Sequence, residues 1–320
     1  MSATTPGSGA ACCAMALCLL SACASPPPPA SPPPPPPKPL AEQGESLRRQ
    51  GDRSLTRGDV ARAAEAYDAA RRMAESLDDT KGLIAALNDV GRVALRRGDA
   101  PQAVSSHERA VLLARQLGAP DLMLESLTAL ATAEHHAGSL QEAERRYEEA
   151  LDLAQQRGDR SAEATLRNNL GLVRQARGEG EQAAQLFRQA LALNQALGNL
   201  ESEASNHVNL GMLAEARRDY EAAEREYERA LELDKTAEQR MEIAADLQRL
   251  GRIAERRGYP DRGLTYSERA YRSYLAQGAF AQARSALNQA VACARKMERP
   301  GEIARLEMEL NRLASLPSMR

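Results

Sequence analysis

The stretch Leu170-Gly171-Leu172-Val173-Arg174-Gln175-Ala176-Arg177-Gly178-Glu179-Gly180-Glu181-Gln182-Ala183-Ala184-Gln185-Leu186-Phe187-Arg188-Gln189-Ala190 decides the fold, because its small and aromatic residues recur along the chain. Gly51, Gly91, Ala131, Gly171, Gly211 and Gly251 stand forty residues apart. Gly58, Gly98, Gly138 and Gly178 form a second series, continued by Arg218 and Gly258. Ala63, Ala103, Ala143, Ala183, Ala223 and Gly263 form a third, and Ala70, Ala110, Ala150, Ala190, Ala230 and Ala270 a fourth. Between these two run Tyr67, His107, Tyr147, Phe187, Tyr227 and Ser267. A fixed period held in five columns over six copies identifies a repeat array before any element is assigned.

Within one copy Ala143, Tyr147 and Ala150 are spaced i, i+4, i+7, which places them on one helical face. The Gly178 slot separates that helix from an earlier one carrying Leu170 and Gly171. The spacing predicts a helix over 164–177, a tight turn and a second helix over 181–197, closed by Gly198. Gly118, Gly158, Gly198 and Gly278 recur at that closing position, where a left-handed residue ends a helix at little steric cost. Small residues in the Gly171 and Ala183 columns let the two helices approach, and the ring in the Phe187 column fills the space beside them.

These columns resemble the tetratricopeptide repeat family. Its Gly/Ala at position 8, Ala at 20, aromatic at 24 and Ala at 27 match copies that start at Gly44, Ile84, Leu124, Ala164, Ala204 and Ala244. The forty-residue period and the run Asn168-Asn169-Leu170-Gly171 are similar to the long-helix subgroup typified by kinesin light chains. The resemblance implies an all-α, right-handed superhelix over residues 40–316, with six full repeats and a degenerate capping copy from about Ala283 to Leu316. It also implies a concave groove lined by the first helix of each repeat. The inward positions of those helices carry Asn88, Asn168, Asn169 and Asn209. A carboxamide offers both a donor and an acceptor, so a file of them can pair with the backbone of an extended peptide. The alternative role for these asparagines is packing between neighbouring repeats. The clamp by which some relatives grip a C-terminal carboxylate is not reproduced, because its slots hold Arg48, Asp52, Asp89, Glu125 and Ala129.

The residues before the repeats read as an address. No charged residue precedes Lys38, and Ala10 to Leu20 is an apolar run of signal-peptide length, shorter than the roughly 20 residues that span a bilayer. It ends in Leu20-Ser21-Ala22-Cys23, which resembles the lipobox of bacterial lipoproteins. That resemblance implies a signal peptide over 1–22 and a lipid-modified Cys23. Several acyl chains hold a protein on a membrane where one does so only marginally. The other reading is a cleaved signal with Ala22-Cys23-Ala24 as its A-x-A site. Residues 23–39 then form a linker, because eleven of the fourteen residues from Pro26 to Pro39 are proline. Such a segment favours an extended polyproline II rod of roughly 40 Å. Cys293 is the one cysteine beyond Cys23, and a lone thiol forms no internal disulfide.

The chain of 320 residues has a net charge of −2 and is 3% aromatic, which leaves neither the basic footprint nor the stacking rings of a nucleic-acid binder. Gly178-Glu179-Gly180-Glu181-Gln182-Ala183 has the spacing of a dinucleotide loop, but a helix precedes it where that loop needs a strand. The four histidines show no metal-ligand spacing, and no GxSxG or Walker loop occurs. The expectation is a protein without catalytic residues, metal or cofactor. It would be lipid-anchored in the bacterial cell envelope, at the outer membrane facing the periplasm, and hold a protein or peptide in its groove. The alternative is a soluble exported repeat protein that oligomerises or senses a small ligand.

Overall fold

The computed structural model describes residues 40–315, and within them every element is an α-helix. The apolar leader, Cys23 and the proline segment lie outside the described residues. Helices α1 (Leu40–Thr56), α2 (Val60–Ser76), α3 (Thr80–Arg96) and α4 (Ala100–Leu117) open the array. They are followed by α5 (Pro120–His136), α6 (Leu140–Gln156), α7 (Arg160–Ala176), α8 (Gly180–Leu197), α9 (Leu200–Ala216) and α10 (Tyr220–Thr236). The array ends with α11 (Arg240–Arg256), α12 (Pro260–Ala276), α13 (Phe280–Lys296) and α14 (Pro300–Ser315). Each helix packs against the next, so the chain builds seven antiparallel hairpins stacked in sequence order.

A helix begins every twenty residues, half the sequence period, and each junction between them carries one left-handed residue. Nine of these are glycine, including Gly58 (φ 78°) and Gly178 (φ 79°), and the other four are Asp78, Arg218, Glu238 and Glu298. The two glycine series read from the sequence are therefore one series with a twenty-residue step. At a typical junction the amide of Asp99 bonds the Ala94 carbonyl at 2.9 Å and that of Gly98 bonds the Leu95 carbonyl at 3.0 Å, which closes α3. The Asp99 carboxylate then accepts the Gln102 amide at 3.1 Å and starts α4. One short linker thus ends one helix and caps the next. Asp159 does the same for α7, whose start lies at Arg160, four residues before the Ala164 expected from the repeat columns.

The columns are the core. Tyr67, Tyr147, Phe187 and Tyr227 are fully buried, as are the alanines beside them. Burying one such ring contributes about 2–3 kcal/mol. The seventh hairpin is closed by Leu287, Ala290, Val291, Cys293 and Leu306. No described helix is long and apolar enough to cross a membrane.

Candidate functional site

The odd-numbered helices meet one another across repeats: α1 with α3, α3 with α5, and on through α5–α7, α7–α9 and α11–α13. The even-numbered helices form no comparable contacts with one another. The odd helices therefore crowd the inner side of the superhelix and supply the walls of its groove. Between α5 and α7 the groove deepens into a hollow of about 560 Å³ lined by Leu124, Glu125, Thr128, Ala129, Thr165 and Leu166 among others.

The groove floor changes character along its length. At the N-terminal end Arg48 meets Asp89 at 2.5 Å, and Arg92 bridges Asp89 at 2.7 Å and Asp52 at 2.9 Å. The Tyr67 hydroxyl donates to Asp52 at 2.7 Å. Burial, followed by this bond to a carboxylate, pushes the Tyr67 hydroxyl far above its usual range. Burial likewise lifts Asp89, although Arg48 and Arg92 pull against it. The acids in the carboxylate-clamp slots thus hold the arginines, and an incoming carboxylate would have to break those pairs. Toward the other end Arg252 grips Glu215 at 2.8 and 2.9 Å, and Tyr227 donates to it at 3.1 Å. Burial alone would raise Glu215, but the Arg252 bonds hold it below the ordinary carboxylate value.

The middle of the groove carries a cluster of uncharged polar side chains. Asn168 accepts two bonds from the next repeat, one from the Asn209 amide at 2.8 Å and one from the Asn206 amide at 3.0 Å. Asn206 in turn accepts from Asn194 at 2.7 Å. Of the four asparagines singled out in the sequence, the structure joins Asn168 to Asn209 and sets Asn169, half-buried, beside Asn168. Asn88 stands two repeats away and is 6% exposed. Its amide donates to Ser126 at 3.0 Å and its carbonyl faces His107 Nδ1 at 3.1 Å. Thr132 shares a hydrogen bond of 2.8 Å with the Tyr147 hydroxyl.

Two network members escape the columns read from the sequence. Asn206 stands in a column with Ala86, Ser126, Leu166, Asp246 and Ala286, and Asn194 in one with Ala74, Ala114, Ala154, Asp234 and Tyr274. Both columns are buried throughout. A polar residue in a buried column that holds alanine or leucine in several other repeats was the available signal. The Gly178–Ala183 segment is the junction between α7 and α8 and the first turn of α8, with no strand before it. No group of three or more His, Cys, Asp or Glu among the described residues is placed to hold a metal ion.

Residues 82–236 match the tetratricopeptide repeat profile in three overlapping windows, 82–156, 122–196 and 162–236. The chain belongs to the tetratricopeptide repeat family. The tetratricopeptide windows take in α4 to α10 and with them the asparagine network. Solved structures repeat the architecture. BtubC (BKLC) from P. vanneervenii is 23% identical, with 76% of this chain and 93% of that one covered at a TM-score of 0.57. A Rap protein complexed with Competence and Sporulation Factor is 15% identical, with coverage of 85% and 75% and a TM-score of 0.62. Aspartyl phosphate phosphatase F from Bacillus subtilis is 10% identical, with coverage of 87% and 72% and a TM-score of 0.65. At these identities the likeness is one of fold. No curated protein matches in sequence. This tetratricopeptide repeat protein is accordingly a scaffold of the protein-interaction type.

Proposed function

We propose that this protein is a membrane-tethered adaptor of the bacterial cell envelope that holds an extended peptide or a protein segment in its groove and carries out no catalysis. The observation that carries the groove reading is the cluster of uncharged polar side chains on α5, α7 and α9. There Thr128, Thr165, Asn168, Asn169 and Asn209 offer donors and acceptors beside a hollow of about 560 Å³. Asn168 and Asn209 spend one donor and one acceptor on each other, so each carboxamide keeps capacity for a ligand backbone. Asn88, with both ends of its amide engaged, would act by holding the second and third repeats in register. A solenoid of like fold, the Rap protein, has been seen complexed with Competence and Sporulation Factor.

The tether rests on the Leu20-Ser21-Ala22-Cys23 lipobox resemblance and on the proline run after it, which would act as a spacer. The outer membrane, facing the periplasm, is the proposed location.

Crosslinking and affinity capture from native envelopes would identify the partner. The double change Asn168→Ala, Asn209→Ala should weaken its binding at least about tenfold, the effect expected of losing polar contacts at a desolvated surface. Unchanged affinity would remove the asparagine file. Mass spectrometry of the mature N-terminus tests the tether independently: a diacylglyceryl Cys23 is expected, and an unmodified Ala24 or Ser25 start would overturn it.

A further inference from the structure

Glu215 in the fifth repeat is held by two donors. Arg252 of the following repeat bonds it at 2.8 and 2.9 Å, and the Tyr227 hydroxyl at 3.1 Å. Arg249, one turn before Arg252, is likewise spent on an acid, Asp246, at 2.6 Å. Forty residues before Glu215 the acceptor is Gln175, and the two donor slots hold Met212 and Phe187, neither of which brings an N–H or O–H. Gln175 Oε1 is buried and has no hydrogen-bond partner among the described residues. An acceptor thus stands unmatched at the place where the next repeat supplies two donors.

The surface around this acceptor changes in the same two repeats. Tyr67 and Tyr147 end on polar residues of the first helix, Asp52 at 2.7 Å and Thr132 at 2.8 Å. Phe187 has no hydroxyl to place, and the residue in that slot is Leu172, which packs against the cluster containing Phe187. The column Asp52, Arg92, Thr132, Leu172, Met212, Arg252 therefore turns apolar twice in succession. These two residues are not core: Leu172 is half-buried and Met212 is 41% exposed. One turn later, slots that hold Arg96, His136 and Arg256 in other repeats hold Ala176 and Ala216, both exposed. One turn earlier stand Asn169 and Asn209. The groove thus has an open apolar floor on α7 and α9 beside the unmatched oxygen of Gln175.

We propose that this floor is a subsite for a tyrosine side chain of the docked polypeptide, with its ring on Leu172 and Met212 and its hydroxyl donating to Gln175 Oε1. A phenol carries one neutral donor at the tip of an apolar ring, which matches one neutral acceptor beside an apolar floor. Gln175 offers a lysine or arginine no counter-charge, and an aliphatic side chain would leave the oxygen without a donor. The repeats themselves show the fit, since the Tyr227 hydroxyl already bonds the residue in the Gln175 slot one repeat on. Methionine sulfur favours an aromatic neighbour, and the unbranched Met212 side chain can turn aside to admit the ring. The inference deepens the groove reading and rests on it, because the floor lies on the helices that carry the asparagine network.

The test follows the Leu172 methyl resonances of the full chain while end-blocked pentapeptides are added, each with two alanines on either side of a central tyrosine, phenylalanine or alanine. The tyrosine peptide should bind at least about fivefold more tightly than the phenylalanine peptide, and the alanine peptide more weakly than either. Two variants copy residues that other repeats already use in the same slots and so should fold. Gln175→Leu repeats Leu55 and Leu95 and removes the acceptor, whereas Met212→Arg repeats Arg252 and supplies the missing donor. Each should abolish the preference for tyrosine over phenylalanine. Equal binding of these two peptides to the parent, a preference that survives in either variant, or no response of Leu172 to the tyrosine peptide would overturn the proposal. Partner capture with the Asn168→Ala, Asn209→Ala protein is a separate experiment. A loss of partner binding there beside three peptides that bind alike sinks the subsite and leaves the groove standing.

Discussion

The ring of Phe187 occupies the place that a side chain at Gly171 would need: a Cβ built on Gly171 falls 2.5 Å from the ring's Cε1 atom. The same relationship joins Gly211 to Tyr227 at 2.7 Å, and Gly51 to Tyr67 and Gly91 to His107 at still closer range. A glycine inside a helix costs about 1 kcal/mol of helix propensity against alanine, so its recurrence in four helices needs a reason. The reason is helix approach, since a buried ring and the facing backbone share the space of one methyl group.

Gly171→Ala should therefore destabilise the protein by about 1–3 kcal/mol despite the better helix former, because overpacking a rigid ring outweighs propensity. Adding Phe187→Leu should recover part of the loss. Urea unfolding checks both, and a Gly171→Ala protein as stable as the parent would show that the repeat opens without strain.

Four junctions place a side chain where the backbone is left-handed. Arg218 has φ 61° and Glu298 has φ 53°, while nine other junctions use glycine. A non-glycine residue there is strained by roughly 1–2 kcal/mol, against which glycine's extra chain entropy counts for about 0.5–1 kcal/mol. Arg218→Gly and Glu298→Gly should each stabilise by about 0.5–1 kcal/mol. The two sites lie repeats apart, so their effects should add in the double variant. A drop in melting temperature for either would mean that the side chain contributes more than its backbone strain costs.

The repeat columns made the hairpin, its turn and its aromatic core legible, because each column encodes one packing need: Gly171 for approach, Phe187 for volume, Ala183 for closeness. The start of α7 was less legible, since the helix is begun by Asp159, which lies ahead of the columns and acts through one cap bond. The twenty-residue step was hidden because Asp78, Arg218, Glu238 and Glu298 stand in for glycine at four junctions. Of the groove residues, Asn168 and Asn209 could be placed on one face from spacing alone. Their bonds to each other, and through Asn206 to Asn194, depend on which repeat faces which, and a helical period within one repeat does not contain that information.

His107 takes the ring slot that tyrosine fills in three other repeats, and burial pushes its pKa down to about 4 from an ordinary 6.5. The folded protein keeps this ring neutral while the unfolded chain protonates it, so stability is full above about pH 6.5 and is lost as the pH falls toward 4. The loss should reach about 2–3 kcal/mol. His107→Phe, which copies the Phe187 slot, should flatten this acid limb. Unfolding free energies at matched pH values for the two proteins would decide it, and parallel acid limbs would exclude His107 as their source.

Asp234 and Asp246 act in the opposite sense. Burial is the main cause that lifts both carboxyls above the ordinary value of 3.8, and their mutual proximity adds to it for Asp246. The folded pair therefore retains a proton that the unfolded chain has already released. Protons bound in the native state exceed those in the unfolded state, so stability falls as pH rises from about 4 into the neutral range and levels off above the folded value. Replacing both by asparagine restores an amide pair and removes the titrating groups. The Asp234→Asn, Asp246→Asn protein should be more stable than the parent by about 2 kcal/mol or more at about pH 8, with the gap closing toward about pH 4. Denaturation curves across that pH range measure the gap directly. A difference that did not change with pH would mean that Arg249 already neutralises the pair and that no proton is shared.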